Sequence, residues 1–282
     1  MSTIRALIAE GEKRLCALPA ARLESELLLA QAVGRPRAYL FAHPEEALDE
    51  VCAGRFEALM ARRVSGEPMA YITGEREFWS LPLRVTPAVL IPRPETEVLV
   101  EAAIARIPER AALRIADLGT GSGAIAIALA SERPHCAVHA TDISAQALAV
   151  AEANARRLGL ENIHFHQGSW FEPLSGTFDL IASNPPYVAS GDPHLVEGDL
   201  RFEPNQALES GPGGLEAIAE ITALAPHYLR AGGWLLTEHG QEQGPDCRAL
   251  LESSGFEGIE TLRDLEGSER VSLGTLPGAP AR

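Results

Sequence analysis

Apolar positions in the first 75 residues recur at helical spacing. One set is Ile4, Leu7, Ile8 and Leu15, the next Leu23, Leu27, Leu28 and Val33, and a third Val51, Phe56, Leu59 and Met60. Gly34-Arg35-Pro36 and His43-Pro44 punctuate these runs as turns. Residues 1–75 are therefore expected to form a compact helical domain of four or five helices. The register then changes. Phe78-Trp79 and Leu83-Arg84-Val85 flank Ser80-Leu81-Pro82, which predicts a short β-hairpin linker over 76–92. Pro92-Arg93-Pro94-Glu95-Thr96-Glu97 opens a helix with acids in its first turn, running to about Ile107. Beyond it, apolar runs of strand length alternate with helical stretches. Strands are predicted at 114–118, 137–142, 162–167, 178–183 and 233–238, and helices at 123–132, 145–158, 213–230 and 242–254, with a long loop at 188–212. Two last strands, near 257–263 and 270–275, have no helix between them and should pair antiparallel. This alternation predicts a doubly wound α/β sheet, covered by helices on both faces, over residues 93–282. The residues from Pro277 onward read as a frayed end.

Composition narrows the class. A chain of 282 residues can bury one large core and a small second one. No apolar run is long enough to span a bilayer and the N-terminus lacks a long apolar signal core, so no membrane association is expected. Cys16, Cys52, Cys136 and Cys247 lie far apart with no Cys-x-x-Cys spacing, which suggests buried reduced thiols in a cytoplasmic protein. His164 and His166 alternate on one strand face, but no third ligand stands at metal spacing, and no metal is expected. The net charge of −15 is lopsided. Residues 1–75 hold nine basic and eleven acidic side chains, so the remaining 207 residues carry −13. An acidic half of that kind repels a phosphate backbone and counts against a nucleic-acid enzyme.

Candidate chemistry gathers at two strand ends. The strand Arg114 to Leu118 runs straight into Gly119-Thr120-Gly121-Ser122-Gly123, and a helix opens at Ala124. Glycines between a strand and a helix let a cofactor approach the backbone where side chains would collide with it. The spacing, Gly-x-Gly-x-Gly, is one residue short of the dinucleotide fingerprint, and Asp117 precedes it. A second strand ends in Asp142, nineteen residues after Gly123. An acid there can accept hydrogen bonds from both ribose hydroxyls of an adenosine cofactor, or cap the helix that follows. Downstream, the apolar run Phe178 to Ser183 ends in Asn184-Pro185-Pro186-Tyr187. The prolines remove two backbone donors, Asn184 adds a side-chain acceptor and Tyr187 a flat apolar wall. Two acceptors and a ring suit a planar NH2 group.

Glycine loop, ribose acid and Asn-Pro-Pro-Tyr, in this order, resemble the class I S-adenosylmethionine-dependent methyltransferases that modify NH2 nitrogens. Further stretches sharpen the resemblance: Glu67 to Gly74, Phe78 to Leu83, Leu90 to Glu97, Gly168-Ser169-Trp170-Phe171, Arg201-Phe202-Glu203-Pro204, Glu238-His239-Gly240, and Arg263-Asp264-Leu265 to Arg270. Together, from about residue 20 to 275, they are similar to the PrmC/HemK family, the peptide chain release factor N5-glutamine methyltransferases. The resemblance implies a Rossmann-like, seven-stranded and mostly parallel sheet with a small N-terminal helical domain that docks substrate. It implies S-adenosyl-L-methionine as cofactor, leaving as S-adenosyl-L-homocysteine. Its amino-acid end would lie over Gly119, Thr120, Gly121, Ser122 and Gly123, its ribose at Asp142 and its adenine near Trp170, with Asn184 also at the cofactor's edge. The acceptor would be the glutamine of the Gly-Gly-Gln loop in class 1 release factors.

An amide nitrogen is a poor nucleophile, so the protein must supply position and electrostatics. The Asn184 side-chain oxygen and the Pro185 carbonyl are expected to accept the two amide hydrogens. Pro186 is counted with them among the substrate-binding residues, Tyr187 packs on the amide plane, and no general base is expected. Glu203 and His239 receive no role from the sequence. Two rivals present the same clamp: a ribosomal-protein glutamine methyltransferase and an adenine-N6 or guanine-N2 nucleic-acid methyltransferase. Net acidity disfavours the second, a cofactor-binding scaffold would not need the clamp, and a monomer is the expected state.

Overall fold

The computed structural model describes residues 2–196 and 198–278. The end predicted to fray lies partly outside them, at residues 279–282. The chain divides into two compact units, Met1–Gly74 and Glu75–Arg282.

The first unit has five helices among the described residues: α1 (Ile4–Arg14), α2 (Ala21–Val33), α3 (Arg37–Ala42), α4 (Glu50–Val64) and α5 (Met69–Thr73). Thr3 caps α1 through the Ala6 N–H at 3.3 Å, and Asp49 caps α4 through the Cys52 N–H at 2.7 Å. Ile4, Leu28, Leu29, Phe56 and Met60 form its centre. Leu23, Leu27 and Val51, expected to face inward, are instead 41%, 37% and 62% exposed. For Leu23 and Leu27 the reason lies in how α1 meets α2. A Cβ on Gly11 would come within 2.2 Å of Ser25 Oγ, so the two helices touch there, and the Ser25 hydroxyl donates to the Ile8 carbonyl at 3.0 Å. That contact turns the Ser25, Leu28, Leu29 and Ala32 stripe inward and leaves Leu23 and Leu27 outside it.

The second unit opens with a hairpin of β1 (Glu75–Phe78) and β2 (Leu81–Arg84). Its turn is Trp79-Ser80, not Ser80-Leu81-Pro82 as the sequence suggested. Both turn residues have positive φ, 53° and 58°, the geometry that matches the twist of a two-residue hairpin. Pro82 instead sits inside β2, opposite Glu77. Phe78 and Leu83 are buried in the core of this unit. Helix α6 (Thr96–Arg106) starts four residues later than expected, because a residue preceding proline is driven out of helical geometry and Arg93 precedes Pro94.

The sheet comprises β3 (Arg114–Leu118), β4 (Ala137–Asp142), β5 (Ile163–Gln167), β6 (Phe178–Ser183), β7 (Leu229–Glu238), β8 (Glu257–Arg263) and β9 (Glu269–Thr275). The order is β5-β4-β3-β6-β7-β9-β8, with β9 antiparallel to both its neighbours and the pairs from β5 to β7 parallel. Helices α7 (Ala124–Glu132), α8 (Ala145–Arg157), α9 (Glu216–Tyr228) and α10 (Gly244–Ser253) complete the unit. The predicted loop at 188–212 carries three short 3-10 turns, Pro193–Val196, Leu200–Phe202 and Asn205–Ala207.

Strand order reverses between β3 and β6, the place where open α/β sheets leave a crevice at the strands' carboxyl ends. Register decides what meets there. Leu118 lies beside Ser183 and Thr141, Ser183 beside Thr237, and Asp142 beside Gln167. The residues that follow β5, β4, β3, β6 and β7 therefore form one row. Of the cysteines, Cys136 and Cys247 are buried, Cys52 is half-buried and Cys16 is exposed, contrary to expectation for Cys16; all four are free thiols. No helix of the described residues is long and apolar enough to cross a membrane.

Candidate active site

The glycine loop is tied down from both sides. The Gly119 and Thr120 N–H groups both donate to the Thr141 carbonyl at 2.9 Å, and the Gly121 N–H donates to Asp142 Oδ2 at 2.9 Å. Beneath it, Asp117 Oδ2 accepts from the Thr120 hydroxyl at 2.6 Å and from the Ala126 N–H at 3.1 Å. Asp117 Oδ1 has no partner among the described residues, and burial pushes this carboxyl up to about 7. On α8, the buried Asn154 donates to the Ser122 carbonyl at 2.9 Å while bonding both backbone groups of Arg84. The hairpin and the loop thus share one anchor.

Gly119, Thr120, Gly121 and Ser122 line a cavity of about 240 Å³, together with Asp142, Trp170, Asn184 and Pro186. Gly123, Pro185 and Tyr187 do not line it. The difference within the loop is physical. A Cβ on Gly121 would meet nothing within 4 Å, whereas one on Gly123 would press on Ile127 Cδ1 at 2.9 Å and Ala151 Cβ at 3.1 Å. Gly121 keeps the cavity open, and Gly123 lets α8 pack close. A Cβ on Gly119 would stand 3.2 Å from the Trp170 ring.

Asp142 is not the cap of α8. Ser144 is, accepting from the Ala147 N–H at 3.2 Å. Asp142 Oδ1 accepts from the Ser144 N–H and Oδ2 from the Gly121 N–H, both at 2.9 Å, so each oxygen keeps a free lone pair beside the cavity. Burial, the largest influence, holds its pKa above the ordinary carboxylate range. Trp170 follows β5 with φ at 43°, an uncommon conformation for a bulky residue, and its indole N–H donates to Glu220 at 3.1 Å. An adenosyl group bearing two ribose hydroxyls fits this lining: an open glycine cradle, a carboxylate with two spare acceptor sites and a flat indole.

Asn184 is oriented from behind. Its Nδ2 donates to Thr96 Oγ1 at 3.1 Å, which turns Oδ1 away from Thr96. The Tyr187 hydroxyl donates to Glu238 Oε1 at 3.4 Å, and burial raises its pKa far above that of a free phenol. Glu238 ends β7 only 1% exposed, and burial pushes its pKa up to about 7. The sequence reading missed both Thr96 and Glu238. An acid closing the apolar run Trp234-Leu235-Leu236-Thr237, as Asp142 closes its own strand, was the available signal.

Two unassigned residues acquire places. The buried Glu203 accepts from the Ile91 N–H at 3.1 Å and pairs with Arg93, binding the 3-10 turns to the segment before α6. Arg93, Pro204 and Ala207 all line the cavity, so this clasp holds one of its walls. His239 is fully buried; its Nδ1–H donates to the Gly240 carbonyl at 2.8 Å and its Nε2 faces Ser272 Oγ at 2.9 Å. It is a satisfied core histidine. His139 joins His164 and His166 across the β4–β5 register, with His139 Nδ1 3.1 Å from His166 Nε2. Among the described residues, no group of three His, Cys, Asp or Glu side chains could hold a metal ion.

Strand order and row of strand-end residues define a class I methyltransferase. A solved methyltransferase from Pyrococcus furiosus shares the fold, with a TM-score of 0.54 and 19% identity over 79% of this chain and 100% of its own. Residues 95–211 match the methyltransferase small domain, and residues 6–74 match the PrmC N-terminal domain. The release factor glutamine methyltransferase of Xylella fastidiosa (strain 9a5c) is 51% identical over 258 residues, 91% of this chain and 94% of that one. That of Pseudomonas aeruginosa is 50% identical over 275 residues, covering 97% and 99%. That of Escherichia coli (strain K12) is 47% identical over 268 residues, covering 95% and 96%. The chain belongs to the release factor glutamine methyltransferase family, and its cofactor is S-adenosylmethionine.

Proposed function

We propose that this chain transfers a methyl group from S-adenosyl-L-methionine to the side-chain amide nitrogen, N5, of the glutamine in the Gly-Gly-Gln loop of class 1 peptide chain release factors. The observation that carries the acceptor assignment is the orientation of Asn184. Its Nδ2 donates to Thr96, so Oδ1 lies on the side away from Thr96 and is the acceptor Asn184 offers there. The Pro185 carbonyl, an acceptor with no donor of its own beside it, is taken as the second acceptor. Two such acceptors bind the two hydrogens of a carboxamide and aim its nitrogen. They also stabilise the positive charge that grows there as the new bond forms. When bound, the cofactor supplies an electrophilic methyl with its own leaving group. Gly119 to Ser122 cradle it, Asp142 takes the ribose hydroxyls and Trp170 covers the adenine side. Tyr187 stands behind the clamp with its hydroxyl on Glu238 and keeps water from the amide.

The helical unit at residues 1–74 serves as the docking domain for the protein substrate, and the rest of the chain, hairpin included, as the catalytic part. The enzyme works in the cytoplasm as a monomer, with no direct contact to nucleic acid or membrane. Net acidity, which repels a phosphate backbone, supports the exclusion of nucleic acid. The test is methyl transfer to purified release factor, ribosomal protein and nucleic acid side by side, read by mass spectrometry. One methyl on the Gly-Gly-Gln side chain is expected. A factor carrying Glu in place of that Gln should stay unmodified, because a carboxylate would face two acceptor oxygens with no donor. Label on a base, or on the Glu variant, would overturn the assignment.

A further inference from the structure

The glycine loop offers a ligand room but few donors. The Gly119 and Thr120 N–H groups are spent on the Thr141 carbonyl, that of Gly121 on Asp142, and that of Gly123 on the Thr120 carbonyl at 2.8 Å. Beneath them, the Thr120 hydroxyl and the Ala126 N–H are spent on Asp117. Phosphate-binding loops point such N–H groups at the anion. Here they are turned to the protein, and two carboxyls lie against the loop.

S-adenosylmethionine nevertheless carries an anion, the α-carboxylate of its amino-acid end. Inside a cavity that charge needs a cation to replace its water. Among the described residues that line the cavity, Arg93 is the one cation and Asp142 the one acid. They belong to different walls. Asp142 is bonded to the loop through the Gly121 N–H. The Thr96 N–H donates to the Arg93 carbonyl at 3.1 Å, and Thr96 Oγ1 accepts from Asn184 Nδ2 at 3.1 Å. Arg93 therefore stands on the clamp side, one turn from the residue that holds Asn184.

Its guanidinium is also fixed. Pro92 and Pro94 flank Arg93 and stiffen the backbone that carries it. Nη2 donates to Glu203, whose side chain is fully buried, while the Arg93 side chain stays 29% exposed. Glu203 is the guanidinium's one hydrogen-bond partner among the described residues. A guanidinium has more N–H donors than one carboxylate oxygen takes, so most of the fork is left for a ligand.

We propose that Arg93 binds the α-carboxylate of S-adenosylmethionine, with Glu203 holding the guanidinium in place. The inference rests on the adenosine half of the cofactor lying at Asp142 and Trp170, and it adds the partner of the charged end. The pair of Glu203 and Arg93 then has two tasks: it secures the 3-10 turns and it aims a cation.

Two ligands that differ by the carboxylate alone test this on the full chain, by calorimetric titration: S-adenosylmethionine and decarboxylated S-adenosylmethionine. The native chain should bind the first at least about tenfold more tightly. Arg93→Gln should weaken the first by about tenfold or more and the second by no more than about threefold, which removes most of the preference. Arg93→Lys, which keeps the charge without the fork, should retain more of the preference than Arg93→Gln. Asp142→Ala should weaken both ligands alike and leave the preference native, because the ribose is common to them. The preference is a ratio taken within one folded variant, so lost stability does not imitate it.

Equal affinities of the native chain for both ligands would overturn the assignment. So would a native preference in Arg93→Gln, which would put the carboxylate on other donors, or an equal weakening of both ligands there, the signature of a merely structural arginine. Methylthioadenosine, which has the adenosine half and no amino acid, separates the two readings. If Asp142→Ala binds it as tightly as the native chain does, the adenosine placement fails. If Asp142→Ala weakens it while Arg93→Gln leaves the carboxylate preference untouched, the Arg93 assignment alone fails.

Discussion

Gly121 and Gly123 occupy equivalent places in the Gly-x-Gly-x-Gly motif, yet alanine should harm them in different ways. Both have positive φ, 55° and 86°, so a Cβ costs each about 1–2 kcal/mol of backbone strain. At Gly123 the methyl also meets Ala151 Cβ at 3.1 Å and Ala151 Cα at 3.3 Å. The second of these is helix backbone and cannot swing away, and such overpacking adds about 1–3 kcal/mol. Gly123→Ala should therefore lose about 2–5 kcal/mol of unfolding free energy, most of it through separation of α7 from α8. At Gly121 the methyl meets nothing within 4 Å and enters the cavity instead. Gly121→Ala should lose only the strain, about 1–2 kcal/mol, and show its main defect in binding. S-adenosylmethionine affinity should fall tenfold or more, about 1.4 kcal/mol. Urea unfolding without cofactor gives the stabilities, and calorimetric titration of the folded variants gives the affinities. Equal destabilisation at both positions, with native affinity in Gly121→Ala, would refute the division of roles.

Asn184→Ala should cut turnover roughly a hundredfold or more while weakening cofactor binding only modestly; calorimetry beside single-turnover kinetics separates the two, and near-native turnover would end the clamp. Asp142→Ala should weaken S-adenosylmethionine by about 1.5–3 kcal/mol for lost charge-assisted hydrogen bonds, and unchanged affinity would leave Asp142 as a tie between the Gly121 and Ser144 N–H groups. Glu203→Gln should destabilise the second unit by about 1–3 kcal/mol and speed proteolysis near residues 200–208; an unchanged cleavage rate would argue against the clasp. Asp117 and Glu238 both have folded pKa values raised to about 7 from 3.8 and 4.5. Their stabilising contribution is thus complete below the unfolded values and is lost as pH rises through about 7. Relative to the native chain, Glu238→Gln should gain stability between about pH 5 and pH 8 in urea unfolding, and a pH-independent difference would contradict the shift assigned to Glu238.

What the sequence disclosed about the site were residues whose type is dictated by their own backbone. Gly119 and Gly121 must adopt positive φ beside a cavity, and Asn184-Pro185-Pro186-Tyr187 carries its acceptors within four consecutive positions. Such features need no knowledge of which strand lies next to which. Alternating apolar runs likewise disclosed the strands and their order along the chain. The errors fell where a long-range contact overrides local pattern. Leu23 and Leu27 have helical spacing, but the Gly11–Ser25 contact, not spacing, decides which face of α2 is buried. The Trp79-Ser80 turn hides because neither residue is a glycine, and the Trp79 N–H is held instead by Glu97 at 2.9 Å. Thr96, Glu203 and Glu238 stayed silent for a stronger reason. Glu203 meets Ile91 across 112 residues of chain, and Thr96 meets Asn184 across 88. Glu238 becomes a neighbour of Asn184 only because β7 joins the sheet beside β6. At a switch point the residues that touch the cofactor announce themselves by type, whereas those that aim them are ordinary acids and hydroxyls given meaning by strand order. A search for supporting residues in such a sheet should therefore begin with the polar residue that closes the strand adjoining the clamp, which here is Glu238, held to the clamp by the Tyr187 hydroxyl.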